Sequence, residues 1–155
     1  MIKSIGPKKL KTSVFISGNG SNLKSLIRFS KKRYSPIDIV FVVTNNKKAR
    51  GLLFSKKNNI ETKTYSFFKK KDAEIRILKD LHKRKVNLIC LAGFMKILSQ
   101  NFIKRFKGKI VNIHPSLLPK YKGLNTHKRV INNKEKYSGC TVHLVNSKLD
   151  SGKII

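Results

Sequence analysis

Short apolar runs alternate along this chain with longer stretches in which apolar residues recur every three or four positions. The run Ile37-Asp38-Ile39-Val40-Phe41-Val42-Val43 is apolar at almost every position and ends at Thr44-Asn45-Asn46, as expected of a strand covered on both faces. Similar runs predict strands at 12–17, near 62–65, at 87–92, 109–114 and 140–144. Between them, Leu23, Leu26 and Ile27 make one helical stripe, with Ser21 as its N-cap, and Ile75, Leu78 and Leu81 make another within a helix at 72–84. Further helices are expected near 49–57, at 99–106 and near 126–132. Strand and helix alternate without an internal repeat or a linker. The pattern predicts an α/β fold with a doubly wound, mostly parallel sheet that binds ligands outside the carboxyl ends of its strands.

Composition narrows the picture. A chain of 155 residues, 39% hydrophobic, can bury one sizeable core and is short for two domains. Residues 1–11 read as a basic lead ahead of a single domain over 12–155. The net charge of +29 ordinarily points to an anionic partner, but the lysines are spread over nearly every loop and helix face and do not interleave with aromatic residues as a base-stacking platform requires. No specific nucleic-acid partner is expected, although a small anionic substrate would still be drawn in. The two cysteines, Cys90 and Cys140, lack metal-ligand spacing or a disulfide framework, which fits a reducing cytoplasm. No apolar run approaches the roughly 20 residues of a membrane span, and the N-terminus lacks a signal-peptide core. A soluble, cytoplasmic protein is expected.

Three predicted strand ends and one carboxylate carry candidate chemistry. After the first strand, Gly18-Asn19-Gly20-Ser21-Asn22 opens a helix whose free N–H groups form an anion cradle, or else a tight turn with no ligand. The third glycine of a dinucleotide fingerprint and the lysine of a P-loop are both missing, so a single phosphomonoester suits it better. After the fourth, Phe94-Met95-Lys96-Ile97-Leu98 either closes the core or lines a pocket for a flat ligand. In the fifth, Asn112 and His114 lie two residues apart, hence on one face, and Pro115 ends the ladder. An amide donor beside a titratable ring can polarise a carbonyl and manage a proton; a core histidine with a turn-forming asparagine is the other reading. Asp150, one of only seven carboxylates, sits in a turn that could swing back toward His114, favour the imidazolium and fix its orientation.

The phrases at 16–23, 91–98, 111–121 and 139–143 resemble the phosphoribosylglycinamide formyltransferases of purine biosynthesis, within the folate-dependent formyltransferase superfamily. The resemblance runs in order from about residue 12 to the end. It implies transfer of a formyl group from 10-formyltetrahydrofolate, as co-substrate, to the amine of glycinamide ribonucleotide, without a metal. It implies that Gly20, Ser21 and Asn22 hold the substrate phosphate. Met95, Lys96, Ile97, Leu98 and Asn112 would border the folate, with Val145, Asn146 and Leu149 opposite. Asn112, His114 and Asp150 would be catalytic. The chain departs from the family's arginine at Lys96 and its histidine at Asn125. It stops at Lys153-Ile154-Ile155 where family members continue, so a domain incomplete at its C-terminus, lacking the usual strands and helix, is expected. The alternatives are formyltetrahydrofolate hydrolysis, or a truncated, non-catalytic binding module for a phosphorylated metabolite or RNA.

Overall fold

The computed structural model describes residues 9–155. Six strands, β1 (Leu10–Ile16), β2 (Ile37–Thr44), β3 (Thr62–Thr64), β4 (Leu88–Leu91), β5 (Lys109–His114) and β6 (Thr141–Leu144), form one sheet in the order β3-β2-β1-β4-β5-β6. All neighbours are parallel except β5 and β6. The doubly wound sheet is therefore present, with an antiparallel strand at one edge. Five helices connect the strands: α1 (Ser21–Ser30), α2 (Leu52–Lys57), α3 (Lys70–Lys83), α4 (Gln100–Arg105) and α5 (Thr126–Asn132). None of these helices is long and apolar enough to cross a membrane.

Alternation along the central strands divides the core. Phe15, Phe41, Val43, Ile89 and Ile110 face one side, where Ala73, Ile77 and Leu81 of α3 and Phe102 of α4 cover them. Val14, Ile16, Val42 and Cys90 face the other, against Leu23 and Ile27 of α1. Each such fully buried side chain contributes about 1.5–3 kcal/mol of apolar burial, which is why β1, with both faces occupied, is the axis of the molecule. Burial also raises the Cys90 thiol to about 11, leaving it protonated and unreactive at neutral pH.

Several expectations change in detail. The first strand starts at Leu10 rather than at residue 12 and ends at Ile16, so Leu10 and Lys11 of the expected lead belong to the sheet; residues 1–8 of that lead lie outside the described residues. Ser21 does not cap α1. That position is held by Gly20 in a left-handed conformation, φ 75°, with no side-chain cap. The buried face of α3 is Ala73, Glu74, Ile77 and Leu81, with Leu78 half-buried against the same core and Ile75 facing solvent, because Ala73, Ile77 and Leu81, four residues apart, form the row that packs on the sheet. The turn at 49–51 precedes α2, which starts only at Leu52.

The strand order reverses between β1 and β4: β2 lies beyond β1, and β5 beyond β4. Connections from the two strands leave in opposite directions there, opening a crevice at their carboxyl ends. Ser17 fixes its floor. Its N–H donates to Gly93 O at 3.2 Å, its hydroxyl accepts from Met95 N at 2.8 Å, and the same hydroxyl donates to Asn45.

Candidate active site

A cavity of about 850 Å³ occupies this crevice and extends over β5 and β6. One end is the start of α1. The first helical bond runs from Lys24 N to Gly20 O, 2.9 Å, so the N–H groups of Ser21, Asn22 and Leu23 precede it and project from the helix end, where the dipole favours an anion. Gly20 is required for this turn. Besides its positive φ, a Cβ there would stand 2.5 Å from the Cα of Gly51. Gly18, the other glycine of the turn, has no positive φ, and a Cβ at its position would meet nothing within 4 Å; its carbonyl accepts from Gly51 N at 3.0 Å. Gly51 is thus a member of the cradle that the strand-end motif does not reveal. Asn22 reaches the cavity wall, whereas Gly20 and Ser21 do not line it.

The opposite wall is apolar. The 94–98 run divides its residues between both expected roles. Phe94 packs edge-on against Phe15 and Phe67, with centroids 5.3 and 5.5 Å apart, and Leu98 is buried in the core. Met95 and Ile97 stand about two-thirds exposed along the cavity, with Lys96 between them. Val145, Asn146 and Leu149 face them from the segment after β6. That segment is held by the Val145 N bond to Ile110 O, 2.8 Å, and by Asn146, whose side chain accepts from Lys148 N and donates to Ser151 O.

Between the two ends lie Asn112, His114 and Asp150. Asn112 and His114 project from one face of β5, and Asp150 returns to both of them. Asp150 adopts φ 44° and is 9% exposed. Its Oδ2 lies 3.2 Å from His114 Nδ1 and accepts from Gly123 N at 2.9 Å; its Oδ1 accepts from Asn112 Nδ2 at 3.4 Å. His114 Nε2 sits 2.8 Å from the Tyr121 carbonyl. A carbonyl only accepts, so Nε2 carries a proton and donates it, and Nδ1 is the ring nitrogen that faces Asp150 Oδ2.

The cluster includes His143, a residue that the sequence patterns do not single out. It is 2% exposed and pairs with Asn112 across β5 and β6. Its Nδ1 donates to Leu144 O at 2.9 Å, which leaves Nε2 to accept from Asn112 Nδ2 at 3.3 Å. The Asn112 amide thus makes two bonds, both longer than the usual range of about 2.7–3.2 Å. It is free to turn toward a better acceptor. Gly152 lets the chain pass directly over the Leu144 carbonyl, where a Cβ would collide, and so brings Asp150 back beneath β5. The strand His143 belongs to is legible in the sequence, but its register against β5 is not, so the pair emerges only in the folded chain. Among the described residues, no group of three or more His, Cys, Asp or Glu is arranged to hold a metal ion.

The site is thus a crevice at the switch point of a parallel sheet, with a helix N-terminus at one end, an apolar wall at the other and an Asn-His-Asp cluster between. Residues 10–155 match the formyl transferase family, and the chain belongs to it. It is 42% identical over 148 residues to the phosphoribosylglycinamide formyltransferase of Haemophilus influenzae, covering 94% of this chain and 70% of that protein. It is 43% identical over 154 residues to the trifunctional purine biosynthetic protein adenosine-3 of Gallus gallus, covering 97% of this chain but 15% of that protein. The crystal structure of phosphoribosylglycinamide formyltransferase from Anaplasma phagocytophilum superposes with a TM-score of 0.88 at 42% identity, covering 96% of this chain and 70% of the other. The chain therefore spans a small part of its trifunctional relatives and about two-thirds of the single-activity ones.

Proposed function

We propose that this chain transfers the formyl group of 10-formyltetrahydrofolate to the primary amine of glycinamide ribonucleotide; the names of its relatives give the formyl transfer and the phosphoribosylglycinamide acceptor. The observation that carries the reading is the placement of Asn112, His114 and Asp150 in one cavity between the α1 cradle and the Met95–Ile97 wall. A phosphorylated amine and a flat, apolar formyl donor must meet at such a junction, and each end of the cavity suits one of them.

In this reading the α1 N–H groups around Gly20, Ser21 and Asn22 hold the phosphate. The folate ring system lies along Met95, Ile97 and Leu98, facing Val145, Asn146 and Leu149, with Lys96 at the rim as a point charge rather than a planar fork. The amine attacks the formyl carbon, and the carbonyl oxygen takes up negative charge. Asn112 exchanges its long bonds for one to this oxygen, and the His114 ring, oriented by Asp150 and the Tyr121 carbonyl, stands beside the same charge. Asp150 receives the proton released by the amine through water. Collapse of the tetrahedral intermediate breaks the bond to N10 of the folate, which is protonated as it leaves, so the reaction is proton-neutral overall. The surrounding positive charge favours capture of the phosphorylated substrate.

The test is incubation of the purified chain with both substrates, following formation of tetrahydrofolate and of the formylated amide. Stoichiometric appearance of the two products is expected. Folate turnover at the same rate without the amine makes the chain a hydrolase and contradicts the proposal, as does the absence of any turnover.

A further inference from the structure

We infer that Ser116 is a positioning residue for this reaction, acting through the Tyr121 carbonyl on the His114 ring. The inference rests on the formyl-transfer reading of that ring. Ser116 lies two residues beyond His114 and is fully buried. Its hydroxyl donates to Lys120 O at 2.7 Å and lies 3.5 Å from Tyr121 O. Its own carbonyl accepts from the Thr141 hydroxyl at 2.7 Å, and Thr141 Oγ1 in turn accepts from Leu118 N at 3.0 Å. Two buried hydroxyls, one from the loop and one from β6, therefore close the segment 116–121 on itself.

The outcome of that closure is the conformation of Tyr121. Its φ is 57°, a left-handed conformation that a bulky side chain adopts only when its surroundings impose it. Outside the loop its hydroxyl donates to Glu135 at 2.7 Å, and the Arg129 guanidinium stands 5.2 Å from its ring centroid. Inside, its carbonyl faces His114 Nε2 at 2.8 Å. A ring held by an acceptor at Nε2 must present Nδ1 to Asp150, which fixes the atom through which the proton moves. Ser116 touches neither the cavity nor a reacting group; it sets where the Tyr121 oxygen is.

The experiment compares S116A, T141V and T141S with the parent chain, using nitrogen-edited proton NMR of the His114 ring without substrate, and kcat and KM with both. The parent and T141S, which keeps the hydroxyl, are expected to show one ring form protonated at Nε2. S116A is expected to show loss of that single form and a kcat about tenfold lower, with both KM values within about twofold, the size seen when an outer partner of a functional histidine is removed. T141V, which removes one hydroxyl while keeping the shape of the side chain, gives the same readout if S116A does not fold. An unchanged His114 ring in S116A, or a kcat loss matched by the loss of folded protein, overturns the inference. The ring readout needs no turnover, so its failure is distinguishable from failure of the formyl-transfer reading.

Discussion

Two carboxylates, Asp80 and Asp150, sit at the centre of polar clusters near opposite edges of the same sheet, and they are satisfied very differently. Asp80 on α3 accepts from Lys63 at 2.8 Å, from Tyr65 at 2.5 Å and from Arg84 at 2.9 Å, while Arg84 also pairs with Glu61 and lies 4.2 Å from the Phe41 ring centroid. Burial alone would raise the Asp80 carboxyl, but the hydrogen bonds from Lys63, Tyr65 and Arg84 outweigh it and hold it at about 2. Burial, and then Asp80, push the Tyr65 hydroxyl well above its usual range; the bond to Glu61 raises Arg84. The Asp80 cluster is saturated and has no proton to give at neutral pH. Around Asp150 one backbone N–H, that of Gly123, binds Oδ2 at 2.9 Å, but the side-chain partners stand at 3.2, 3.4 and 3.6 Å, and the group lines the cavity. Short, complete bonding fastens β3 to α3; long, incomplete bonding leaves atoms able to change partners, which catalysis requires.

Substitutions that convert one kind of cluster toward the other put this contrast to the test. The largest effect is expected at Asn112. N112A should lower kcat by about 10²- to 10³-fold, the range for loss of one oxyanion donor, with little change in substrate affinity. Next comes the cradle. G20A places a Cβ against Gly51 and should raise KM for the phosphorylated amine by about tenfold or more, equivalent to about 1.4 kcal/mol of lost anion binding; the KM for the folate should stay within about twofold. At the saturated cluster the sign reverses. D80N should cost about 1–3 kcal/mol of stability in urea unfolding, because it leaves Arg84 and Lys63 underpaired, with kcat per folded molecule unchanged.

The smallest effect is the pH dependence of that stability. Because Asp80 is held at about 2 in the folded chain, below the value near 3.9 of an unfolded chain, its contribution is complete above the unfolded value and is lost as pH falls toward 2. The stability gap between the parent chain and D80N should therefore be full at pH 6 and narrow by pH 2.5. A gap that stays constant shows that Asp80 is not an ionised hub.

The two clusters also differ in how far the sequence reveals them. Asn112 and His114 are legible because strand alternation puts them on one face and Pro115 ends the strand beside them. Asp150 stands out because carboxylates are scarce. The fold class follows from the apolar runs, since a strand buried on both faces leaves a clear signature. His143 and Gly51 stay hidden because each acts through a partner distant in the chain: the antiparallel register that pairs His143 with Asn112, and the close approach that brings Gly51 against Gly20. Ser21 reads as the cap because Ser is a common N-cap, whereas a left-handed Gly20 closes this turn without a side chain. The Asp80 network is concealed for the same reason as His143. Lys63, Asp80 and Arg84 look like an ordinary charged surface until β3 is docked on α3.

Whether the loosely bonded carboxylate is the reactive one is decided by measuring kcat for formyl transfer in D150N and D80N side by side, with thermal midpoints recorded for both. D150N is expected to lose about 10²-fold or more in kcat while its midpoint and its affinity for the phosphorylated amine hardly move, and D80N is expected to lose midpoint but not kcat. Equal losses of kcat in the two variants, or a D150N chain that loses folding and activity together, would contradict this assignment.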